Sequence, residues 1–212
     1  MLNIALPKGR LGDQVYDMLA SAGYDCPGYY EQNRKLVFES PEKNVRYLLV
    51  KPSDVAIYVE HRAADVGIVG KDTILEENRR VYEVLDLGFG KCRMCVCGPK
   101  SAEELLKHHE RIRVASKYPE IAKDYFYNKK HQTVEIIKLN GSIELAPIVG
   151  LSEVIVDIVE TGSTLKENGL VVLDEVCPLS ARMIVNPVSM RLENDRIKEL
   201  LYKLRSILKR EA

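Results

Sequence analysis

The 212-residue sequence lacks an excess of charge of either sign, because Lys and Arg together number 31 and Asp and Glu also number 31. Nonspecific binding to nucleic acid or to membrane surfaces normally depends on a positive excess, so we expect neither partner. The sequence also lacks any stretch near the roughly 20 apolar residues of a membrane span. Its first residues, MLNIALPKGR, have too short an apolar run for a signal peptide, and the basic residues follow that run. A cytoplasmic protein is therefore expected.

Spaced pairs of cysteines are missing as well. Five cysteines occur, and three of them lie in the run CRMCVCG (92–98), with the others at 26 and 177. A structural zinc site usually shows two spaced pairs, and no second pair is present here. In a strand, Cys95 and Cys97 would share one face and Cys92 would lie on the other. We therefore expect small, buried core cysteines rather than metal ligands.

The common catalytic fingerprints are absent too. The sequence contains no nucleophile elbow, no P-loop and no dinucleotide-binding motif. None of the four histidines stands in a recognisable frame with a nucleophile; they are His61, His108, His109 and His131. Any chemistry must therefore depend on other residues.

Short apolar runs alternate with amphipathic stretches, which is typical of an α/β fold. The pattern predicts strands at 2–7, 36–40, 45–51, 65–70, 91–99, 111–116, 133–139, 170–176 and 181–187, and helices at 11–23, 53–62, 101–109, 118–129 and 194–210. Ser53 or Asp54 is suited to cap the second helix, and Ser101 and Glu104 have the spacing of a capping box.

The length suits one large domain or two small lobes. We predict one lobe of residues 1–90 plus 176–212 and a second of residues 91–175, connected in part through GFGK (88–91). A ligand would then bind in the cleft between the lobes. The last helix carries an apolar stripe that either packs on its own lobe or binds a partner; its residues are Ile197, Leu200, Leu201, Leu204, Ile207 and Leu208.

The stretch IVDIVETGSTLKENG (155–169) has two interpretations. In the first it is a capped helix, because Thr164 and Glu167 have capping-box spacing and Asn168–Gly169 is a helix stop. In the second it is a phosphate-binding loop, because hydroxyl groups and a glycine stand where a helix begins and backbone amides are free.

The second interpretation also accounts for the neighbouring acids. Gly162 would let the backbone approach a phosphate, and Thr161, Ser163 and Thr164 would add donors; these residues immediately precede Leu165. Asp157 and Glu160 would repel a phosphate alone, but they suit sugar hydroxyls or a metal. The residues therefore favour a ribose-phosphate site.

Three further turns carry charged residues after predicted strands. In LPKGRL (6–11), Gly9 turns the chain between Lys8 and Arg10, which could hold a di- or triphosphate. The turns GIVGKD (67–72), which ends in Lys71 and Asp72, and LNGSIELAP (139–147), which contains Glu144, are similar. Each could equally be a solvated turn or a capped loop.

Taken together, these motifs resemble the ATP phosphoribosyltransferase family of histidine biosynthesis. The resemblance runs from LPKGRL through DVGIVGKD, ASKYP and LNGSIELAP to the stretch just described. Its most specific part matches the family signature at Glu144, Gly150, Ser152, Ile155, Asp157, Ile158, Thr161, Gly162, Thr164 and Leu165. One departure is Arg62 in EHRAAD (60–65), where relatives often have Gly, which leaves the conformation of that helix end open.

The resemblance implies a two-lobed fold of the type II periplasmic-binding-protein kind, with the active site in the cleft between lobes. It implies transfer of phosphoribosyl from phosphoribosyl pyrophosphate to N1 of ATP, giving phosphoribosyl-ATP and pyrophosphate. No protein nucleophile is needed, in keeping with the missing fingerprints.

The resemblance also implies roles for individual residues. The ribose 5-phosphate would lie against Glu160, Thr161, Gly162, Ser163, Thr164 and Leu165, and Asp157 would contact the ribose, with Glu144 in the same site. Lys8, Gly9 and Arg10 would hold pyrophosphate or nucleotide phosphates, and Lys71 and Asp72 are expected to bind substrate. Mg²⁺ would be carried by the substrate, with few or no protein ligands.

The chain ends soon after its last predicted helix and so resembles the short form of the family, without a C-terminal regulatory domain. Short forms work in a hetero-octamer with a regulatory subunit that resembles histidyl-tRNA synthetase, and self-dimers are expected within it. Apolar surface of this chain would then face another chain.

Two alternatives share parts of the pattern. A phosphoribosyltransferase acting on a free base would also have an apolar strand leading into acids and TGxT, as in VIVDIVETGST (154–164), but LPKGRL and GIVGKD have no place in that plan. A non-enzymatic solute-binding module would share the fold, because fold does not determine function. The missing export signal and the phosphate-binding loop argue against it.

Overall fold

The computed structural model describes residues 1–31, 34–108 and 111–211. The strands are β1 (Leu2–Pro7), β2 (Val37–Ser40), β3 (Val45–Val50), β4 (Val66–Gly70), β5 (Tyr82–Asp86), β6 (Cys92–Gly98), β7 (Ile112–Ser116), β8 (Val134–Lys138), β9 (Val154–Val159), β10 (Val171–Leu179) and β11 (Ala181–Val185). The α-helices are α1 (Arg10–Leu19), α2 (Val55–Glu60), α3 (Lys71–Glu77), α4 (Ala102–Lys107), α5 (Pro119–Lys123), α6 (Leu145–Ile148), α7 (Ser163–Glu167), α8 (Pro187–Leu192) and α9 (Asn194–Glu211).

The chain divides into two compact units, and each has its own sheet. Unit 1 comprises residues 1–90 and 180–212, and unit 2 comprises residues 91–179. The sequence predicted that the chain returns from the second lobe to the first between residues 175 and 176, a position that lies inside β10. This strand stays paired with β6 as far as Leu179 opposite Cys92, through two register shifts, so it belongs wholly to unit 2.

Unit 1 is built on a six-stranded sheet in the order β2-β3-β1-β4-β11-β5. The strands β3, β1 and β4 run parallel, so the segments that follow them emerge at the same edge of the sheet. These segments begin with Lys51, Lys8 and Lys71 respectively. One face of the sheet, including Ile4 and Leu6, is buried under α1 and α9, and the other face is covered by α2.

Unit 2 is built on a five-stranded sheet in the order β10-β6-β9-β7-β8. Here β8, β7 and β9 run parallel, whereas β6 is antiparallel to β9 and β10 is antiparallel to β6. One face packs against α4 and α5 around Val114 and Val156. The opposite face carries Cys95, Cys97, Ala115 and Ile155 and packs against Leu165 of α7. The two cysteines share a face, as predicted.

The long last helix packs on its own unit. Ile197, Leu200, Leu201 and Leu204 of α9 are buried in the core of unit 1, and Ile207 and Leu208 pack against it. The first of the two interpretations of the apolar stripe is therefore confirmed.

Several local predictions were wrong. Within the described ranges, the side chains of Asp54 and Ser101 make no capping hydrogen bond, and Glu104 pairs with Lys107 instead. The strand β5 and the helices α3 and α8 were not predicted. The helix predicted at 118–129 is α-helical only to Lys123 and continues as a wider π-helical turn, Asp124–Lys129. His109, in the helix predicted at 101–109, lies outside the described residues.

The departure at Arg62 has a structural consequence. Arg62 has a φ of 59°, in the left-handed region that glycine adopts without strain. The end of α2 therefore keeps the left-handed backbone conformation that glycine adopts easily. Arg62 adopts it at an energetic cost, because its Cβ crowds the backbone.

None of the helices in the described part of the chain has both the length and the apolar character of a membrane span.

The turn between β1 and α1 depends on a close approach at Gly12. A Cβ added there would lie 1.9 Å from the carbonyl oxygen of Pro7. The substitution Gly12→Ala should therefore lower the free energy of unfolding by about 1–3 kcal/mol or more, since α1 would have to move away from β1. Urea denaturation measures the change.

Gly141→Ala is the matched control. A Cβ at this position meets no heavy atom of the described residues within 4 Å, and its φ is not positive. We expect a midpoint close to that of the unsubstituted protein. An equal midpoint for Gly12→Ala would contradict the close approach.

Candidate active site

The end of β9 leads into a cavity of about 340 Å³ in unit 2. Its lining contains every residue that the sequence assigned to the ribose-phosphate site; the lining residues are Glu144, Asp157, Ile158, Val159, Glu160, Thr161, Gly162, Ser163, Thr164 and Leu165. The parallel strands explain the convergence, because the segments after β8 and β9 emerge at one edge of the sheet. This cavity is the candidate binding site of unit 2.

The loop at 160–164 is not the capped helix of the first interpretation. Gly162 precedes α7 with a φ of 77°, so Thr164 lies inside the helix and cannot cap it. The Oγ1 of Thr161 lies 3.0 Å from the Oγ of Ser163, and these two residues and Thr164 are exposed. Leu165 is buried and holds α7 against the sheet. The hydroxyl groups therefore line an open cavity beside the start of the helix.

Asp157 lies on β9, opposite Cys95 of β6, and its side chain is half-buried. Its Oδ1 accepts a hydrogen bond from the backbone N–H of Ile158 at 2.8 Å. Burial raises the pKa of the Asp157 carboxyl above its ordinary value, and the negative charge of Glu144 raises it further. The hydrogen bond from Ile158 and the ammonium of Lys117 act in the opposite direction. Asp157 is therefore a carboxylate held at an energetic cost beside the cavity.

Glu144 stands at the start of α6, at the end of the loop that follows β8. The buried side chain of Ile143 holds this loop in place. The backbone carbonyl of Ile143 accepts a hydrogen bond from the N–H of Ala146 at 3.0 Å. Glu144 is half-buried and faces the same cavity as Asp157. The two carboxylates come from different strands and can act on one ligand.

The thiols beside this site are not suited to nucleophilic attack. Burial, together with the neighbouring Cys95 and Asp157, raises the pKa of Cys97 to about 12. Burial also raises the pKa of Cys95. A thiol with such a pKa stays protonated at neutral pH and reacts slowly. Cys26 is likewise buried, whereas Cys92 and Cys177 are only half-buried.

The segment Lys8–Gly9–Arg10 lies in unit 1 and is exposed after β1. The N–H of Lys8 donates to the carbonyl of Val50 at 2.9 Å, and Gly9 has a φ of 101°. Lys8 and Gly9 border a cavity of about 530 Å³ whose other lining residues are Pro7, Asp13, Tyr29, Arg34, Lys35, Leu36 and Leu49.

Sequence reasoning did not single out Arg34 and Lys35. The signal was a pair of adjacent cations just before β2, but nothing in the sequence brings this pair near LPKG. The pairing of β2 with β3, and of β3 with β1, brings them to the edge of the sheet where β1 ends. Cations, an aromatic ring and aliphatic side chains then surround one cavity.

Lys71 and Asp72 open α3 at the end of β4, also in unit 1. Lys71 forms a salt bridge with Glu83 of β5. Glu83 also pairs with Arg182 at 3.1 Å, and Arg182 pairs with Asp86 at 3.0 Å. The ammonium of Lys71 is thus held by a network of ion pairs, which the sequence did not indicate.

Comparison with known proteins gives one family. The family model described as "HisG: ATP phosphoribosyltransferase" matches residues 51–206. The ATP phosphoribosyltransferase of Lachnoclostridium phytofermentans is 65% identical over 208 residues, covering 98% of this chain and 97% of the relative. That of Brachyspira hyodysenteriae is 57% identical over 209 residues, covering 98% of this chain and 100% of the relative.

Solved structures that are similar to the whole chain include the following two. The ATP phosphoribosyl transferase (HisG:HisZ) complex from Thermotoga maritima contains a chain with a TM-score of 0.83 and 36% identity, covering 99% of this chain and 100% of that chain. The structure of Tv2483 bound to L-arginine has a TM-score of 0.60 at 10% identity, covering 99% and 86%, and shows the fold alone. The fold is thus the predicted two-lobed, type II periplasmic-binding-protein-like α/β fold.

The raised pKa of Asp157 predicts the effect of Asp157→Asn on stability. The folded state binds the Asp157 proton more tightly than the unfolded state, so ionised Asp157 lowers the free energy of unfolding at neutral pH. The amide keeps an oxygen that accepts from Ile158 and carries no charge. We expect Asp157→Asn to be at least as stable as the parent at pH 7, as measured by urea denaturation.

The difference should shrink as the pH falls. Below the folded-state pKa, Asp157 is protonated in the parent, and below the unfolded-state pKa it is neutral in both states. Denaturation at several pH values between 7 and 3 follows the change. An Asn variant that is much less stable at pH 7 would show that the carboxylate serves the fold.

Proposed function

Because this chain belongs to the ATP phosphoribosyltransferase family, we propose that the cavity of unit 2 binds phosphoribosyl pyrophosphate during transfer of its phosphoribosyl group to ATP. The reaction gives phosphoribosyl-ATP and pyrophosphate and is the first step of histidine biosynthesis. The family excludes the free-base transferase and the solute-binding module. The site assignment is supported by one observation: the residues at 144, 157 and 160–165 line a single cavity.

In the reaction, a bond forms between N1 of the adenine and C1 of the ribose. The bond from C1 to the pyrophosphate oxygen breaks, and pyrophosphate leaves with the electron pair. Positive charge develops on the sugar as the leaving group departs. The protein must therefore orient two substrates and stabilise charge, without forming a covalent bond to either.

The hydroxyl-lined loop is suited to the ribose 5-phosphate. Gly162 leaves room for a phosphate beside the backbone, and Thr161, Ser163 and Thr164 present hydroxyl donors to the cavity. The buried Leu165 keeps α7 in place. A phosphate that accepts hydrogen bonds from several of these hydroxyl groups would be held in one orientation.

Asp157 and Glu144 are suited to the ribose. Carboxylates accept hydrogen bonds from sugar hydroxyls, and their negative charges favour a sugar that becomes positive. Burial raises the pKa of Asp157 and makes its charge costly, so a positive charge that develops nearby stabilises it. Asp157 and Glu144 thus contribute more in the transition state than in the ground state.

The edge of unit 1 is suited to phosphates other than the ribose 5-phosphate, namely those of pyrophosphate or ATP. Lys8, Gly9 and Arg10 present an exposed cation pair and a positive-φ glycine, as a pyrophosphate or the phosphates of ATP would require. Lys71 and Asp72 belong to the same edge of this sheet, and Lys71 would exchange its partner Glu83 for a substrate oxygen.

Mg²⁺ would enter the unit 2 cavity with the substrate, because the described residues contain no group of three or more His, Cys, Asp or Glu that could hold a metal ion. Three carboxylates line a cavity proposed to hold a polyphosphate, so a cation must offset the repulsion between them. Most ligands of Mg²⁺ would come from the substrate and from water, with few or none from Asp157 and Glu144. When bound, it neutralises charge on the pyrophosphate oxygens.

The similar solved structure from Thermotoga maritima is that of a HisG:HisZ complex. We propose that this chain also assembles with a regulatory subunit that resembles histidyl-tRNA synthetase, as a hetero-octamer that contains dimers of this chain. The proposal includes a cytoplasmic location, where ATP and phosphoribosyl pyrophosphate are made available.

The double substitution Thr161→Ala with Thr164→Ala tests the phosphate-binding loop. Two hydroxyl donors to a charged phosphate are lost, so affinity for phosphoribosyl pyrophosphate should fall by about 10- to 100-fold. Isothermal titration calorimetry measures the affinity. Thr133→Ala is the matched control, because Thr133 is exposed and lies outside the cavity. Equal affinities for the double variant and the control would contradict the assignment.

Product analysis by mass spectrometry tests the function. The chain is incubated with ATP, phosphoribosyl pyrophosphate and Mg²⁺, with and without the regulatory subunit, and in parallel with free bases in place of ATP. We expect phosphoribosyl-ATP, formed faster with the partner, blocked by histidine only in its presence, and abolished by a chelator of Mg²⁺. No adduct in either mixture would contradict the proposal, and so would a nucleotide made from a free base.

A further inference from the structure

We propose that Lys117 binds the pyrophosphate group of phosphoribosyl pyrophosphate in the unit 2 cavity. The inference rests on the proposed function and gives a role to the Lys of the ASKYP motif, a residue that is not among those lining the cavity. Lys117 directly follows β7, whose last residue is Ser116.

The strand register places Lys117 beside Asp157. The strands β7 and β9 are parallel, with Ala115 opposite Ile155 and Ser116 opposite Val156. The pairing ends there, and Lys117 and Asp157 are the next residue of each segment. Asp157 continues β9 on the face that carries Ile155, and the ammonium of Lys117 is near enough to affect its carboxyl group.

Ser116 fixes the backbone on both sides of Lys117. Its side chain is fully buried, and its Oγ donates to the carbonyl of Val156 at 2.6 Å. The same Oγ accepts a hydrogen bond from the N–H of Tyr118 at 2.8 Å. The turn therefore presents Lys117 from a defined position although its side chain is exposed.

The charges of the cavity leave a need for a cation. Its lining includes Glu144, Asp157 and Glu160 but no Lys or Arg, whereas the proposed ligand is a polyanion. The ammonium of Lys117 is close enough to lower the pKa of Asp157 against the effect of burial. Among the residues that the structure describes, no carboxylate forms a salt bridge with Lys117. The ammonium lies 5.8 Å from the centroid of the Tyr118 ring, a weak contact at an exposed site that a charged ligand would outcompete.

The topology indicates which end of the ligand Lys117 meets. From the loop at 160–164, α7 leads to β10, which lies on the β6 side of β9. Lys117 lies on the opposite side, because β7 is the other neighbour of β9. A ribose held at Asp157, with its 5-phosphate on that loop, directs its C1 substituent away from the loop. The pyrophosphate at C1 is then the group within reach of Lys117.

The substitution Lys117→Met in the complex of this chain with its regulatory subunit tests the inference. It keeps the length of the side chain and removes the charge. The KM for phosphoribosyl pyrophosphate and the inhibition constant of pyrophosphate should each rise by about 10- to 100-fold. The dissociation constant of ribose 5-phosphate should stay within about twofold. Lys117→Arg should restore most of the loss.

Lys138→Met is the matched control. Lys138 ends β8 opposite Ser116 and belongs by alternation to the other face of the sheet, with Val134 and Ile136. It is exposed like Lys117, and its removal should leave all three constants unchanged. Thermal denaturation checks that both variants fold, and Lys117→Gln replaces the Met variant if that variant unfolds.

The outcomes separate this inference from the proposed function. Unchanged constants for pyrophosphate and phosphoribosyl pyrophosphate in a neutral Lys117 variant would overturn it, while turnover by the parent complex would still support the function. A loss confined to ribose 5-phosphate would also overturn it, because Lys117 would then belong to the 5-phosphate loop. A parent complex without product would count against the function, and direct pyrophosphate binding to the parent and the variants would still decide the role of Lys117.

Discussion

Parallel pairing of strands is the constraint on which both binding edges depend. A parallel strand must be reached by a crossover, so successive strands deliver their following segments to the same edge of the sheet. In unit 2 this constraint brings together Lys117, Glu144 and the loop after Asp157, which come from three different parts of the sequence. In unit 1 the same constraint places Lys8 and Lys71 at one edge. The chemistry of the site thus follows from the order and direction of the strands.

The zero net charge conceals an uneven distribution. The cavity of unit 2 is lined by acids and hydroxyl groups, whereas the edge of unit 1 carries several cations. An anionic substrate is therefore not attracted by a net positive charge of the whole chain, and its binding depends on local donors. Asp157 shows a local charge effect at one residue: burial raises the pKa of its carboxyl, so its negative charge is unfavourable in the fold, at the position where we propose that a positive sugar forms. Stability and catalysis make opposite demands on that position.

The sequence predicted most strands and the residues that line the unit 2 cavity. The cavity residues came mainly from the family signature, and the strands came from the pattern of apolar residues. What it missed depends on contacts between distant segments. The strand β5 is short and half-exposed, and the strand it pairs with, β11, comes about a hundred positions later. The partner of Lys71 lies on that strand, so the ion pair could not be inferred either. Asp54 and Ser101 do stand directly before α2 and α4, but their backbones already have helical φ and ψ angles, and neither side chain makes a capping hydrogen bond. Residue spacing does not reveal this backbone conformation.

The discontinuity of unit 1 has a consequence for synthesis on the ribosome. Unit 2 is one continuous segment, 91–179, and contains all five of its strands. Unit 1 lacks β11 until residues after 180 have emerged, and β11 lies between β4 and β5 in its sheet. Until then β4 has an unpaired edge and the core has no α9 to cover it. The nascent chain therefore completes its second unit before its first, and it carries an exposed strand edge of the kind that chaperones shield throughout that interval.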